Sequence, residues 1–551
     1  MSSDLAIFGR KINWRWVVTI VILMVGLSFA FAWVSSGFDN IFDWPKFLVT
    51  FLVSGGVYFL GWMGLVKDKS ISVPTWLVWL VIVAIILRLS AAILWYAGLP
   101  NWGYATEVEQ AGYIMADAFA RDTAAWELAQ SAKPLVMAFS DYRVVDQYGG
   151  MVYLSGSVYR YIGGEHHHSI QFAVLTAVFS SIAIIFTWAF SRRLWGERVA
   201  LVAAWLVALF PDAIILGSSQ MREAFLMTLI AVGLYGLVRY VQDRTWSGLA
   251  WLAASLFLIL PFSPPIAGVF LLVVLILAIS IEGVQIFHQP RFWAILVAVA
   301  FVVGIGIWLA WERIAPEGIT NPVALVNWWF RESARWQAYF VKRSSPLIRR
   351  IFNTTPDWIH TPILLGYGVL QPFLPGALLD QGAPMWKSIA IVRSVGWTLI
   401  LPFLLVAPVV LWAEKENRRL AFGVISTVWL TIVIAALRSG GDLWDNPRYR
   451  VVFISLQAGL VAWVWISQRQ SRNPWLWRMI IGLMIILAWF VPWYLRRSGL
   501  ITWPITNVFI TLGFGFVSAA IFFIWMYFRG RQPRNFSPQE EDPGVDKKNP
   551  D

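Results

Sequence analysis

Apolar runs of about 20 residues recur along the chain, and each is long enough to cross a hydrocarbon core about 30 Å thick. We predict about 14 transmembrane spans from them, near residues 16–34, 46–66, 75–97, 169–190, 199–218, 221–239, 248–263, 266–286, 292–311, 388–412, 419–437, 451–467, 477–495 and 503–528. Only 13% of the 551 residues are charged, whereas soluble domains carry about 25%. The sequence therefore predicts an all-α polytopic membrane protein and excludes a soluble fold.

Tryptophan and cysteine usage narrows the class further. The 35 tryptophans tend to lie at the ends of the apolar runs, as in an interfacial aromatic belt. The chain has no cysteine, which excludes disulfides and thiolate metal sites. In a membrane protein, the net charge of +12 reflects how basic residues are distributed between the two sides of the membrane. We therefore expect membrane lipids, and no nucleic acid, as partners. The first run, 16–34, lacks a small-residue cleavage site and is expected to remain in the protein.

Basic residues in the short loops predict the orientation in the membrane. Six short segments and the tail become cytoplasmic when the N-terminus is placed in the cytoplasm: Arg10/Lys12/Arg15, Lys67/Lys69, Arg192/Arg193/Arg198, Arg239/Arg244, Arg418/Arg419, Arg469/Arg472 and Arg529/Arg531/Arg534. The loop with Arg496 and Arg497 then falls outside, against the rule. We therefore expect a multi-pass protein of the plasma (inner) membrane with both termini in the cytoplasm.

Two long segments, 98–168 and 312–387, then lie outside the cytoplasm. The second mixes arginine with tryptophan, which resembles amphipathic helices at a lipid interface; the alternative is that these helices cap the bundle. The predicted parts are two N-terminal helices (1–74), a transmembrane core with the first long loop (75–311), the second long segment (312–387), a C-terminal bundle (388–529) and a disordered tail (530–551).

Several charged residues lie within or at the ends of spans, where a central charge costs about 2.5–3.5 kcal/mol on insertion scales. Arg88 is inside the third span. The others, all predicted near the extracytoplasmic face, are Asp212, Arg222, Glu223, Arg438, Arg448 and Arg450. Each has a structural explanation. Arg88 would extend to the interface or pair with Asp212, and Arg222 and Glu223 would cap the sixth span. Arg438, Arg448 and Arg450 would anchor their helices at the interface. The alternative is a site open to the outer leaflet.

The run His166-His167-His168 invites a metal hypothesis. Adjacent residues point in different directions, however, and the only other histidines are His288 and His360. Because the spacing does not suit a ligand set, we predict no metal site there.

Four motifs in order resemble the GT-C superfamily of membrane glycosyltransferases, which includes protein O-mannosyltransferases and aminoarabinose transferases. They are IILRLSAAILW followed by TEVEQAGYIMADAF, then VVDQYGGMVYLSGSVYRY, then SRRLWGERVALVAAWLVALFP leading to SSQMREAFLM, and finally NPRYRVVFISLQAGL. Glu109, Tyr113 and Ala116 occupy the family's acid, Tyr and Ala positions. The family's leading acid is usually Asp, whereas here it is Glu107 or Glu109, and two spans precede the segment that normally comes first.

The resemblance implies transfer of a sugar from a polyprenyl-phosphate carrier to an acceptor hydroxyl outside the cytoplasm, for cell-envelope glycan or glycoconjugate synthesis. It implies a carboxylate base, with Glu109 first and Glu107, Asp146 and Glu223 as alternatives. Arginines would offset charge on the departing phosphate; the candidates are Arg448, Arg450, Arg222 and Arg88. A second acid would orient the acceptor or hold a divalent cation, and the sequence leaves both open.

Three alternatives remain open on the sequence alone, and one of them is a catalytically inactive scaffold in envelope assembly, which the absence of the family's leading Asp suggests. A flippase or transporter would place charges along a path that reaches both faces, whereas here only Arg88 is deep. A lipid-linked glycan polymerase or ligase would share the outer-face site. The sugar and the acceptor are not specified by these residues.

Overall fold

A computed structural model gives the fold of the chain. It describes residues 6–529 except 8–9, 12–13, 69–71, 310, 312–314, 326, 329–330, 333–334, 336–345, 415–416, 440–444 and 472–474. The predicted disordered tail, 530–551, and much of the predicted Arg/Trp-rich stretch of the second long segment lie outside the described residues.

The described chain is helical apart from a two-stranded antiparallel pair, Ala6–Ile7 and Arg10–Lys11. The α-helices are α1 Trp14–Ser35, α2 Trp44–Val66, α3 Thr75–Trp102, α4 Glu107–Gln110, α5 Ala116–Gln130, α6 Gly150–Val158, α7 Ser169–Trp195, α8 Glu197–Leu209, α9 Pro211–Gly217, α10 Arg222–Asp243, α11 Trp246–Ile259, α12 Pro264–Glu282, α13 Pro290–Leu309, α14 Pro346–Thr354, α15 Asp357–Leu370, α16 Leu374–Leu378, α17 Pro384–Ala413, α18 Arg418–Ser439, α19 Asp445–Val451, α20 Ile454–Ser471, α21 Trp475–Arg497 and α22 Val508–Arg529. Short 3₁₀ turns (Leu135–Phe139, Gly283–His288) and a π turn (Tyr159–Gly163) complete it.

The all-α polytopic fold class is confirmed. Among the described residues, nine helices are long and apolar enough to cross a membrane, or eleven if two bent pairs each count as one span. The bent pairs are α8 with α9, at 54°, and α19 with α20, at 75°. The predicted spans 16–34, 248–263 and 292–311 fall on α1, α11 and α13, which are helical but are not among these candidates.

The contacts divide the chain into two compact units, Met1–Asn473 and Pro474–Asp551. In the second unit α21 and α22 form a helical hairpin in which Trp489 stacks on Phe514, with ring centroids 5.2 Å apart. The first unit holds all the candidate site residues named above.

Helices α7 and α10 form the centre of the first unit. In an apolar 18-residue stretch of each helix, 94% of the residues of α7 and 100% of those of α10 are buried by other parts of the protein. Small residues let the backbones approach closely, which is how helices associate in lipid. A Cβ on Gly236 of α10 would lie 2.7 Å from the backbone nitrogen of Leu252 and 2.8 Å from the carbonyl oxygen of Gly248, both on α11. The close α10–α11 contact therefore requires glycine at position 236.

The N-terminal hairpin α1–α2 is attached to the core by His168, at the start of α7. His168 Nδ1 lies 2.6 Å from Ser35 Oγ, at the end of α1, and its Nε2 lies 2.7 Å from Asp43 Oδ2. His167 instead contacts Asp122. The neighbouring histidines therefore contact different carboxylates, and among the described residues no group of three His, Cys, Asp or Glu side chains is placed to hold a metal ion.

The glycine contact gives a test of the packing. We expect Gly236→Ala to lower the free energy of unfolding by about 1–3 kcal/mol, because the added methyl group overpacks a backbone contact. The measurement is thermal unfolding in detergent. Gly268→Ala on α12 is the matched control, since a Cβ there meets nothing within 4 Å. Equal melting temperatures for the two variants would contradict the close contact.

Candidate functional site

Arg448 lies at the centre of a buried cluster of charges. It belongs to the short helix α19, which the 75° bend turns away from the axis of α20. Its Nε donates to Glu223 Oε1 at 2.8 Å, its Nη2 lies 3.1 Å from Asp117 Oδ2, and its Nη1 lies 3.3 Å from Asp445 Oδ1. One guanidinium thus joins α19 to the first turns of α10 and α5.

Glu223 is fully buried in the first turn of α10, a position where a carboxylate is favoured by the helix dipole. Arg222 Nε lies 3.6 Å from the same oxygen that Arg448 contacts. The Arg222 guanidinium also lies 5.6 Å from the centre of the Tyr148 ring. Arg448, Arg222 and Glu223, all predicted from the sequence as site residues, therefore lie together.

Helix α5 contributes Asp117 and Arg121, which the sequence analysis did not single out. They are four residues apart on one face, with Arg121 Nη2 3.2 Å from Asp117 Oδ2. The Arg121 side chain is only 7% exposed, whereas that of Asp117 is 45% exposed. Their i,i+4 spacing, which is typical of an ion pair on one face of a helix, is the sequence feature that could have identified them.

Among the residues that the structure describes, three nitrogen atoms of this cluster are buried without a hydrogen-bond acceptor, Nε and Nη1 of Arg121 and Nε of Arg222, and one oxygen, Oε2 of Glu223, is buried without a donor. Leaving a charged donor buried and unsatisfied is costly. Since both residues lie close to Arg448 through shared carboxylates, the cluster has the donors to hold an additional anion.

Asp146 is buried and accepts from the backbone N–H groups of Met151, at 2.9 Å, and Val152, at 3.2 Å, at the start of α6. Its other oxygen lies 3.9 Å from Arg121 Nε. Asp146 therefore orders the return of the first long loop and lies beside the arginine cluster.

Glu109 and Glu107 lie on α4. Glu109 forms a capping box: its Oε2 accepts from the backbone N–H of Thr106 at 3.1 Å, and Thr106 Oγ1 accepts from the backbone N–H of Glu109. Its Oε1 accepts from the indole of Trp386. Both oxygens of Glu109 are thus engaged in structural bonds, while Glu107 is exposed.

Arg88 is fully buried, and its guanidinium donates to the carbonyl oxygens of Ala84, Val207 and Ala208. Two of these carbonyls belong to the end of α8, where Pro211 interrupts the helix and leaves carbonyls without an intrahelical donor. Of the structural alternatives for Arg88, pairing with Asp212 is not found, because Asp212 pairs with Arg393 at 2.5 Å. The contacts of Arg88 are those of a residue that stabilises the bend.

Arg450 is also engaged away from the cluster. Its guanidinium lies 3.2 Å from the centre of the Trp397 ring, and its Nη1 donates to the carbonyl oxygen of Gln371 at 2.9 Å. These contacts attach α19 to α17, while Nη2 of Arg450 is buried without an acceptor among the described residues.

A second polar network surrounds Asp122, which was also not predicted. The hydroxyl groups of Tyr113 and Tyr159 both donate to its carboxylate, and His167 Nε2 lies 2.7 Å away. Burial, and then the Asp122 charge, raise the pKa of both tyrosines well above the ordinary value. Both therefore remain protonated hydrogen-bond donors, which fixes the loop that carries Tyr113 beside α5.

A small cavity of about 30 Å³ adjoins Asp117 through Ala118. Its lining is uncharged and includes Trp95, Tyr113 and Gln220, and the Gln220 Oε1 atom is buried without a donor. The volume suits about two water molecules. Ala118 and Gln220 are close in sequence to Asp117 and Arg222, but none of the charged side chains of the cluster lines the cavity.

Residues 157–311 match the family model of dolichyl-phosphate-mannose-protein mannosyltransferases. The predicted resemblance to the GT-C superfamily is confirmed. The matched stretch contains Arg222 and Glu223. No curated protein sequence matches the chain.

Two solved structures are similar to the chain. One is an archaeal oligosaccharyltransferase, AglB from Archaeoglobus fulgidus, in complex with an inhibitory peptide and a dolichol-phosphate: 14% identity, TM-score 0.39, covering 82% of this chain and 55% of that one. The other is an oligosaccharyltransferase from the same organism tethered to an acceptor peptide containing the NVT sequon: 13% identity, TM-score 0.40, covering 82% and 54%. This chain therefore spans about half the length of each.

The capping box at Glu109 gives a test that separates structure from chemistry. We expect Glu109→Ala to lower the free energy of unfolding by about 1 kcal/mol, because the Thr106 amide loses its acceptor. Glu109→Gln is the matched control and should be destabilised less than Glu109→Ala, since the one amide oxygen of glutamine still completes the capping box and only the Trp386 indole loses its acceptor. A melting temperature for Glu109→Ala equal to that of Glu109→Gln would contradict the box.

Proposed function

We propose that this protein transfers a hexose from a polyprenyl-phosphate carrier to an acceptor hydroxyl at the extracytoplasmic face of the membrane, in the synthesis of a cell-envelope glycan or glycoconjugate. The observation that carries the proposal is the buried arginine cluster of Arg448, Arg222 and Arg121, with unsatisfied N–H donors on the last two. It lies where α19 and α10 begin, at the end of apolar helices.

The position suits a lipid-linked phosphate. A polyprenyl chain lies among apolar helices, and its phosphate then lies at the depth of the helix ends. The guanidinium of Arg448 offers a planar fork that matches pairs of phosphate oxygens. Positive charge there stabilises the phosphate as it leaves the anomeric carbon, which is the largest electrostatic demand of the reaction.

The acceptor side requires a base within reach of the same point. Four carboxylates lie at or near the cluster: Glu223, Asp146, Asp117 and Asp445. A positioned carboxylate base contributes about 10²–10⁴-fold to such a transfer. With one displacement at the anomeric carbon, the reaction inverts the configuration of the sugar. The family description makes polyprenyl-phosphate mannose the first donor to assay.

Arg448→Lys tests the phosphate contact. Lysine keeps the positive charge but loses the fork, so we expect the affinity for polyprenyl phosphate to fall by about 10-fold or more, with transfer from polyprenyl-phosphate mannose falling in parallel. Binding is measured by titration in detergent, and transfer by appearance of glycosylated product.

Arg193→Lys is the control for that experiment. Arg193 is similarly buried and paired with Asp68 and Asp243, but it lies near the C-terminal end of α7, away from the cluster. We expect it to bind polyprenyl phosphate normally. Unchanged binding and transfer in Arg448→Lys would overturn the proposed site, and movement of the lipid across vesicles without sugar transfer would favour a flippase.

A further inference from the structure

The two edges of the Arg448 guanidinium have different surroundings. Its Nε donates to Glu223, whose side chain is fully buried. The outer edge, formed by Nη1 and Nη2, faces the carboxylates of Asp445 and Asp117, which are 49% and 45% exposed. The buried contact fixes the guanidinium, whereas the two exposed contacts lie on the edge that an incoming anion would reach.

That outer edge is also the one that a phosphate needs. A guanidinium grips paired oxygens through two parallel N–H groups, and one of its donors is already taken by Glu223. A phosphate that approaches Arg448 therefore meets two carboxylates of like charge at close range, which is unfavourable. Exposed ion pairs are weak because water competes for both partners, so these carboxylates are the contacts that an anion could replace.

Asp117 and Asp445 differ in how they are held. Asp445 is three residues before Arg448 on the same short helix, so it stays close to Arg448 whatever binds. Asp117 belongs to α5 and has a second partner, Arg121, at 3.2 Å. It can leave Arg448 and remain ordered by Arg121.

We propose that the donor phosphate replaces Asp117 on Arg448, and that the released Asp117 carboxylate is the base that accepts the proton of the acceptor hydroxyl. This inference rests on the proposed function and names how its site is regulated. Before the donor binds, Arg448 engages Asp117, and the base becomes available only when a phosphate has taken its place.

The step balances without a further reactant. The acceptor oxygen forms a bond to the anomeric carbon as the bond from that carbon to the phosphate oxygen breaks. The electron pair of the broken bond stays on the polyprenyl phosphate, whose added charge lies against Arg448. The hydroxyl proton passes to Asp117 and later to solvent.

The other carboxylates are less suited to the role. Glu109 uses both oxygens in its capping box and the Trp386 contact. Asp146 accepts two backbone N–H groups, and Glu223 is fully buried. Asp117 combines exposure, proximity to Arg448 and an alternative partner.

Asp117→Asn and Asp445→Asn form a matched pair for the test, since each removes one exposed charge from Arg448 with almost no change of shape. The probes are farnesyl phosphate for binding and the polyprenyl-phosphate mannose assay for transfer, both on the full chain in detergent. We expect both variants to bind farnesyl phosphate several-fold more tightly. Transfer at saturating donor should fall by about 10²–10⁴-fold in Asp117→Asn. The activity control is Asp141→Asn, which removes a carboxylate that pairs with Lys133, and there transfer should stay within about 3-fold.

Two results would overturn the inference: unchanged transfer in Asp117→Asn, or weaker binding of farnesyl phosphate in that variant. Loss of transfer in Glu109→Gln together with normal transfer in Asp117→Asn would assign the base to Glu109 instead. These outcomes are distinct from failure of the proposed function, which the Arg448→Lys variant reports independently through loss or retention of phosphate binding.

Discussion

The ion pair between Arg448 and Glu223 is the interaction on which the site depends. It joins a short helix late in the chain to the first turn of α10, one of the two most buried helices. Breaking such a buried pair is strongly unfavourable because it leaves a charge uncompensated. The pair therefore holds α19 against the core and sets the direction in which the rest of the guanidinium points.

Charges inside this apolar bundle serve two distinct purposes. Arg88 and Arg450 satisfy backbone carbonyls next to bends, and Arg450 also lies over the Trp397 ring. They stabilise the bent helices that bring α9 and α19 to the site. Arg448, Arg222 and Arg121 instead share the carboxylates of Glu223 and Asp117. The first group shapes the site, and the second gives it affinity for an anion.

The fold class was predictable because span length and hydropathy are set locally. Among the described residues, nine helices and two bent helix pairs are long and apolar enough to cross a membrane, and each coincides with a predicted span. Arg448 and Glu223 were also predictable, since a charge in an apolar run stands out. Asp117 was missed because it belongs to the long polar segment between predicted spans, where charges are ordinary; only its i,i+4 spacing from Arg121 marks it. The partner of Asp212 was not predictable either: Arg393 is 181 positions away in sequence. The capping box was also predictable, because Thr106 and Glu109 are three residues apart. Glu109 was instead assigned as the first candidate for the catalytic base.

The central claim is that a lipid-linked phosphate binds the outer edge of Arg448 in exchange for Asp117. A structure determined by electron cryo-microscopy with bound polyprenyl phosphate tests it most directly. The account predicts phosphate density within hydrogen-bond distance of Nη1 and Nη2 of Arg448, with Asp117 turned toward Arg121. Phosphate bound elsewhere, or Asp117 still in contact with Arg448 beside the bound lipid, would contradict it.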